Sequence, residues 1–471
     1  MTVQATDRGG KAATPPIELT PIIVISIGIF VTTFDMTAVI MVMPKIKETM
    51  NLDIGGFAWV MDSYSLAFTV FLMTAGVLAD RYGRRRAMLV GNATFLGASV
   101  LCGFAQDEVV LLIGRVAQGI GAAFIVCSGL ALVGHRYSER SESARAFALL
   151  GSISGGAMAL GPAGGGMVAD LLGWQWVFFI NIPICLFVAF GLPRVLAESS
   201  DPARRRIDTL GLLALSSFLV SAVWFLLHGS RVGTVVVPVW LTLGWVAALA
   251  GLFLLTQRRA AQPLLELGLF SSRSFLGTCL VPLALSLGYW AVLVYLPLFL
   301  QERLGRSLNE TSYAMLAATL PMVMLPMFGA RIALALRPGI FFSTGLLVVA
   351  AGCGVIAIGA ELGNLAVSLV GMTVAGAGTA VLHSQVSGAI VGLVAREQAG
   401  AASAVTVMLR QGGFALGIAL LAGVLRMMGG GEPGLVLGAN PYTVLFCVAG
   451  ACAVVSALVV FLLIAPKVET K

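Results

Sequence analysis

Two carboxylates and one guanidinium stand where a hydrocarbon environment would penalise them. Asp35 falls in an apolar run over residues 22–44, Asp62 in one over 58–79, and Arg115 in one over 109–133. An ionisable side chain inside such a run is costly unless it faces the protein interior and finds a partner. At about 1.5 Å of rise per residue, Asp35 lies roughly 14 Å and Asp62 roughly 6 Å from one end of their helices, and Arg115 lies about 9 Å into its own. Arg115 is therefore the natural counter-charge, expected to contact Asp35 or carbonyls of the first helix. A carboxyl that takes a proton from one compartment and releases it to the other is the minimum chemistry for coupling transport to a proton gradient. Asp35, Asp62 and Arg115 are the residues expected to do this, Asp35 as the coupling carboxylate, Asp62 as the entry site for a cation or proton, and Arg115 as the partner that a proton or cation displaces. The plainer readings are a permanent structural ion pair for Asp35 and Arg115, and a snorkelling interfacial position for Asp62.

Other residues suit binding rather than proton transfer. Met36, Trp59, Tyr64, Tyr289 and Trp290 offer thioether and aromatic surface of the kind that accepts varied lipophilic cations, with Asp35 and Asp62 as counter-charges. Ordinary core or lipid packing is the alternative for most such side chains. Arg410 and Gln411 sit together in an apolar run with no acid beside them, to bind, to gate or to cap backbone carbonyls. His383 reads as interfacial. No nucleophile and base, phosphate loop or metal-ligand cluster is present, and His135, His228 and His383 lie on separate segments. An enzyme, a cofactor and a metal are not indicated. The seven cysteines all fall in apolar runs without a Cys-x-x-Cys pair, so neither disulfides nor a metal site are expected.

Those residues are positioned by an almost wholly apolar chain. Hydrophobic residues make up 58% of the 471 and charged residues only 11%, more apolar surface than a water-soluble domain could bury. Runs long enough to span a bilayer occur over about 22–44, 58–79, 88–106, 109–133, 146–169, 176–193, 208–228, 236–256, 275–299, 312–334, 340–360, 364–386, 402–426 and 443–465. The expected fold is an all-α polytopic membrane protein with fourteen spans. Its parts are a cytosolic tail over 1–21, a six-helix half over 22–200, a two-helix central insert over 201–260, and a second six-helix half over 261–471. Lys and Arg favour one set of connections by about four to one, which places both termini in the cytosol and the protein in the cytoplasmic membrane. The net charge of +7 is dispersed through short loops, so it reads as topology and not as a nucleic-acid surface. One bundle suffices for a transport path, and a monomer is expected.

Two further patterns bear on movement. Gly76, Asp80, Arg81, Gly83, Arg84 and Arg85 form a charge burst between the second and third runs, with a faint echo at Gly329-Ala-Arg331. Gly161, Pro162, Gly165 and Gly166 crowd the fifth run, where small residues permit close helix approach and proline permits a bend. Both sets are expected to gate, the first as a cytoplasmic latch and the second as a seam between the halves. A positive-inside stop signal and ordinary close packing are the simpler readings.

The charge burst resembles the signature loop of the major facilitator superfamily. Asp35-Met-Thr37 with Pro44, Arg115-x-x-Gln118-Gly119-x-Gly121, Gly161-Pro162-x-x-Gly165-Gly166, Trp174-Gln175-Trp176 with Asn181-Ile-Pro183, and Arg410-Gln411-Gly412-Gly413 resemble its fourteen-helix drug:H+ antiporters. The segment Trp59 to Tyr64 is most similar to quaternary-ammonium multidrug efflux proteins. Ile40 and Gln175 depart from that pattern, and the runs over 312–334 and 402–426 carry no acid, which weighs against divalent cations. The resemblance implies proton-coupled antiport of amphipathic, cationic drugs or toxic compounds by alternating access. An exporter dedicated to one antibiotic or natural product, neutral included, is the alternative; a non-transporting receptor or scaffold is a third reading. The partners implied are a lipophilic small molecule, protons and the bilayer, with no nucleic acid.

Overall fold

The computed structural model describes residues 19–137, 140–200, 208–228, 231–232, 235–260, 263, 267–394, 399–429 and 440–464. Nearly all of the expected tail and the basic loop over 201–207 lie outside the described residues. The first part of the chain forms α1 (Leu19–Met50), α2 (Ile54–Tyr82), α3 (Arg84–Gly103), α4 (Glu108–Arg136), α5 (Arg140–Leu172), α6 (Trp176–Phe179) and α7 (Asn181–Val195). Next come α8 (Thr209–His228), a two-residue hairpin of β1 (Arg231–Val232) and β2 (Val235–Val236), and α9 (Val239–Arg259). The last part forms α10 (Arg273–Leu285), α11 (Ala291–Leu298), α12 (Leu308–Thr319), α13 (Pro321–Met324), α14 (Pro326–Ala335), α15 (Pro338–Leu362), α16 (Leu365–Val391), α17 (Ala399–Gly429) and α18 (Pro441–Leu463). Wider π-helical turns at Ser286–Trp290 and Phe299–Arg303 extend α10 and α11 into one span over Arg273–Arg303.

Twelve helices among the described residues are long and apolar enough to cross a membrane. This is a multi-pass membrane protein, and large apolar side chains such as Phe190, Trp240 and Phe461 lie on the outside of the bundle as lipid requires. The two remaining expected spans differ from the twelve in instructive ways. The run over 146–169 lies inside the continuous 33-residue α5, which keeps its helix through Pro162. The run over 312–334 is no single helix but α12, α13 and α14, interrupted at Pro321 and Pro326, because proline removes an N–H and crowds the preceding turn. The run over 176–193 is likewise divided at Ile180 into α6 and α7.

Packing places α1 against α5, α2 against α4, and α3 against both α4 and α7; later in the chain α15 packs against α16 and α18. The two groups meet chiefly where α2 lies on α17 and α5 on α12. The central helices sit to one side, α9 on α8 and α8 against α2 and α17. Helix starts are satisfied by side chains: Asp53 accepts from Gly56 N at 2.7 Å and Asp107 from Val110 N at 2.9 Å. At α12, Ser307 and Glu310 form a reciprocal capping box, and the Ser307 backbone N–H holds the Glu310 carboxyl below its usual range.

Candidate functional site

Helices α1 and α4 bring Asp35 and Arg115 together. Both are fully buried, and Arg115 Nη1 donates to Asp35 Oδ2 at 2.7 Å. The expected counter-charge contact is present. The second carboxylate oxygen accepts from Gln118 Nε2 at 3.0 Å and from Asn181 Nδ2 at 2.7 Å. Gln118 Nε2 and Asn181 Nδ2 also donate to Ser99 Oγ, at 2.9 and 3.3 Å. Arg115 Nη1 reaches Gln118 Oε1 at 2.8 Å, Nε points to the Val60 carbonyl at 3.4 Å, and the guanidinium carbon lies 4.5 Å from the centre of the Tyr64 ring. Tyr64 in turn donates to the Thr32 carbonyl at 3.3 Å. Five helices thus contribute to one network around the ion pair, in which both carboxylate oxygens are satisfied while Arg115 Nη2 and Asn181 Oδ1 have no partner among the described residues.

Asp62, about two turns into α2, is equally buried, yet neither of its oxygens has a hydrogen-bond partner among the described residues. Burial rules out the snorkelling position. The Asp62 carboxyl lies within electrostatic reach of Tyr295 on α11, whose ring sits 5.5 Å from that of Phe57 at the start of α2. The two carboxyls therefore occupy opposite settings: one is held by a cation and two amides, the other by nothing.

The remaining expected binding residues divide between two places. Met36 and Trp59 are half-buried in the first group of helices, Tyr64 within the Arg115 network. In the second group, Tyr289 donates to the Ala318 carbonyl at 2.7 Å and is thereby committed to α12. Trp290 and Arg410 instead line one small cavity with His383, Thr406 and Ser387, while Gln411 is buried on the same helix as Arg410. His383 is half-buried, and its ring meets that of Trp290 at 5.7 Å, edge to face.

The charge burst makes its contacts close to home. Asp80 accepts from Arg84 Nε and Nη2 at 3.0 and 2.9 Å. Glu198 caps the start of α3, taking the backbone N–H groups of Arg85 and Arg86 at 2.9 and 3.1 Å, and Arg85 donates to the Leu196 carbonyl at 2.9 Å. Gly76 lies against Cys127 of α4, and Gly83 adopts φ 109°, a conformation that favours glycine, beneath the Glu198 carboxylate. Arg81 extends to solvent over the Tyr82 ring. Among the described residues these partners all belong to the first group of helices.

The α5 glycines do bridge the two groups. A side-chain carbon at Gly161 would collide with Thr37, and one at Gly165 would lie 2.7 Å from Ala38 Cβ, both on α1; one at Gly166 would collide with Ser312 on α12. Pro162 sits between them without breaking the helix. Sequence reasoning missed Ser99, Glu198 and Asn181 as partners. Gln118 carried a signal, standing one helical turn from Arg115 on the same face.

A sequence profile of the Major Facilitator Superfamily matches residues 25–418. The multidrug resistance protein Stp of Mycobacterium tuberculosis (strain CDC 1551 / Oshkosh) is 34% identical over 259 residues, 55% of this chain and 48% of that protein. The methylenomycin A resistance protein of Bacillus subtilis (strain 168) is 34% identical over 266 residues, 56% of this chain and 57% of that one. The puromycin resistance protein pur8 of Streptomyces alboniger is 33% identical over 254 residues, 54% and 50% of the two chains. The matches span about half the length of these curated relatives. Among solved structures, a POT family transporter in complex with a thioalcohol-conjugated peptide superimposes with a TM-score of 0.70 over 94% of this chain and 95% of that one. At 14% identity, that likeness is one of fold alone.

Proposed function

Because this chain belongs to the Major Facilitator Superfamily, we propose that it is a proton-coupled antiporter exporting amphipathic small molecules by alternating access of a central site to the two membrane faces. The observation that carries the proposal is the inequality of the two buried carboxyls. A carboxylate with no donor in a dry interior is strongly disfavoured, so the uncharged acid is the form that the surroundings of Asp62 accommodate. Asp35 has the opposite setting, joined to Arg115 at 2.7 Å and to two amide donors. Opening toward the cytoplasm hydrates Asp62 and lets its proton leave. The resulting charge favours rearrangement of the Asp35 and Arg115 network, and reprotonation from outside resets the site as substrate departs.

The export reading is supported by relatives named for multidrug, methylenomycin A and puromycin resistance. It places the chain in the cytoplasmic membrane as a monomer of fourteen spans, with α5 and the broken α12 to α14 segment crossing as well, both termini cytosolic, and a proton gradient in place of a cofactor. The test is efflux from proteoliposomes under an imposed pH gradient. Asp62→Asn removes a titrating group without stranding any partner, so it is expected to fold normally and to lose gradient-driven flux by at least tenfold while still exchanging substrate. Unchanged coupling in Asp62→Asn would refute the assignment, and absence of any gradient-dependent flux in the unaltered protein would leave the receptor or scaffold reading. A second reading, an exporter dedicated to one compound, is favoured by the two relatives named for single antibiotics. Efflux confined to one member of a panel of cations and neutral antibiotics would select it.

A further inference from the structure

Arg410 stands near the middle of α17, half-buried beside a small cavity, and no hydrogen bond or ion pair holds its guanidinium among the described residues. The acids described in α10 to α18 and their connections are all committed elsewhere. Glu302 binds Lys47 and Tyr442, Glu310 caps α12, and Glu361 accepts from Thr443, all at the opposite end of the bundle. A second orphan belongs to a residue lining the same cavity: Trp290 is buried, and its indole N–H has no partner among the described residues. Buried indole N–H groups ordinarily find an acceptor, and an uncompensated guanidinium within a membrane is costly. Two unrelated donors left unsatisfied around one space point to an acceptor that the protein itself does not supply.

The backbone is shaped to hold them there. Trp290 closes the π-helical turn Ser286–Trp290, an irregularity common at functional sites. Gly413 and Gly417 let α17 approach that turn, with a side-chain carbon at Gly413 only 3.2 Å from Ser286 Cβ and one at Gly417 only 3.0 Å from the Ser286 carbonyl oxygen. The cavity, about 10 Å³, holds about one water molecule, so a carboxylate enters it only as the walls part during the transport cycle. On the other side of the protein, Asp35 already has three donors, so a cation docking on it would have to displace one of them.

We propose that Arg410 and Trp290 form a subsite for a carboxylate of the exported compound, so that acidic or zwitterionic lipophilic molecules, and not simple cations, are the preferred substrates. The proposal rests on the export reading above and names its substrate class. Arg410 supplies charge and a planar pair of donors, Trp290 fixes a third, and His383 and Thr406 wall the pocket.

Rhodamine 110 and its methyl ester, rhodamine 123, share one cationic ring system and differ only in the free carboxylate. Binding of each to the purified full-length protein in detergent, read by fluorescence anisotropy, isolates that group. The acid is expected to bind about tenfold more tightly than the ester, and Arg410→Gln to erase the difference. Trp290→Phe, which keeps the packing and removes one donor, is expected to shrink it about threefold, and decides the matter should Arg410→Gln fail to fold. Equal or tighter binding of the ester, no binding of the acid, or a ratio untouched by either substitution overturns the subsite, including the case in which Arg410 merely holds an inorganic anion. Gradient-driven efflux of either dye from proteoliposomes is scored separately. A preserved acid preference without proton coupling would sink the antiport reading and leave the subsite standing; coupled efflux without acid preference would do the reverse.

Discussion

Arg115 and Asp35 are joined at 2.7 Å where neither touches solvent, so removing one strands the other. Arg115→Gln is expected to lower stability by about 3–5 kcal/mol, and Asp35→Asn by a comparable amount, because each leaves an uncompensated buried charge. The double variant replaces the pair by two neutral side chains of similar shape and is expected to recover a large part of the loss. Thermal unfolding in detergent reads all three, and losses that simply add would show that the two residues do not act as a unit. This pair was legible in the chain, since two opposite charges at matched depth in neighbouring apolar runs have few other places to go. Gln118 was legible by its spacing. Asn181 and Ser99 were not, because an amide or hydroxyl in an apolar run carries no charge to betray it, and the bonds of Asn181 to Ser99 and Asp35 cross 82 and 146 positions of sequence. The setting of Asp62 was equally hidden: that it is buried was arguable, but that nothing reaches it depends on every helix around it.

Helix α5 shows how one element serves two neighbours along its length. Gly161 and Gly165 press on α1 and Gly166 on α12, whereas a side-chain carbon at Gly151, Gly155 or Gly156 would meet nothing within 4 Å. Gly165→Ala drives a methyl into the backbone of Ala38, and it is expected to cost about 1–3 kcal/mol. Gly155→Ala meets open space and is expected to leave the unfolding temperature unchanged or slightly raised. Transport is expected to separate from stability at this second site. If the end of α5 nearer Gly155 closes on another helix during the cycle, Gly155→Ala slows efflux despite its intact fold; normal efflux would mean that this face never packs. The glycine cluster announced close packing in the sequence, but not which partners lay on either side. Composition alone also ran together α12, α13 and α14, since hydropathy over 312–334 is continuous and only Pro321 and Pro326 mark the breaks. The same prolines could have been read as kinks in one helix, and their surroundings decide that the helix stops.

Among the described residues, polar side chains tie the two groups of helices together at the end where α1 and α5 close. Lys47 at the close of α1 binds Glu302 at 2.6 Å, Glu302 also accepts from Tyr442 at 2.6 Å, and Asp170 at the close of α5 accepts from Asn309 at 2.6 Å. Phe57 and Tyr295 stack beneath them. At the other end, the described partners of the Gly76 to Arg86 burst lie in its own group. The polar links therefore close the Lys47 end, which the positive-charge bias of the loops assigns to the outside. No periodicity joins Lys47 to Glu302, which are 255 positions apart, so which end closes was not legible from the chain. Both ion-paired side chains are partly exposed, at 22% and 44%, so each polar link is worth about 0–1 kcal/mol, and two together set a modest population. Removing both with Lys47→Ala and Asn309→Ala is expected to raise the open fraction at this end about three- to tenfold. Ser312→Cys, buried beneath Gly166, reports the opening through its alkylation rate by N-ethylmaleimide, followed by mass spectrometry of that one peptide. The rate is expected to rise in proportion to the open population. A rate unchanged by the double substitution would mean that the α5 glycine seam holds this end shut by itself and that the polar links merely decorate it.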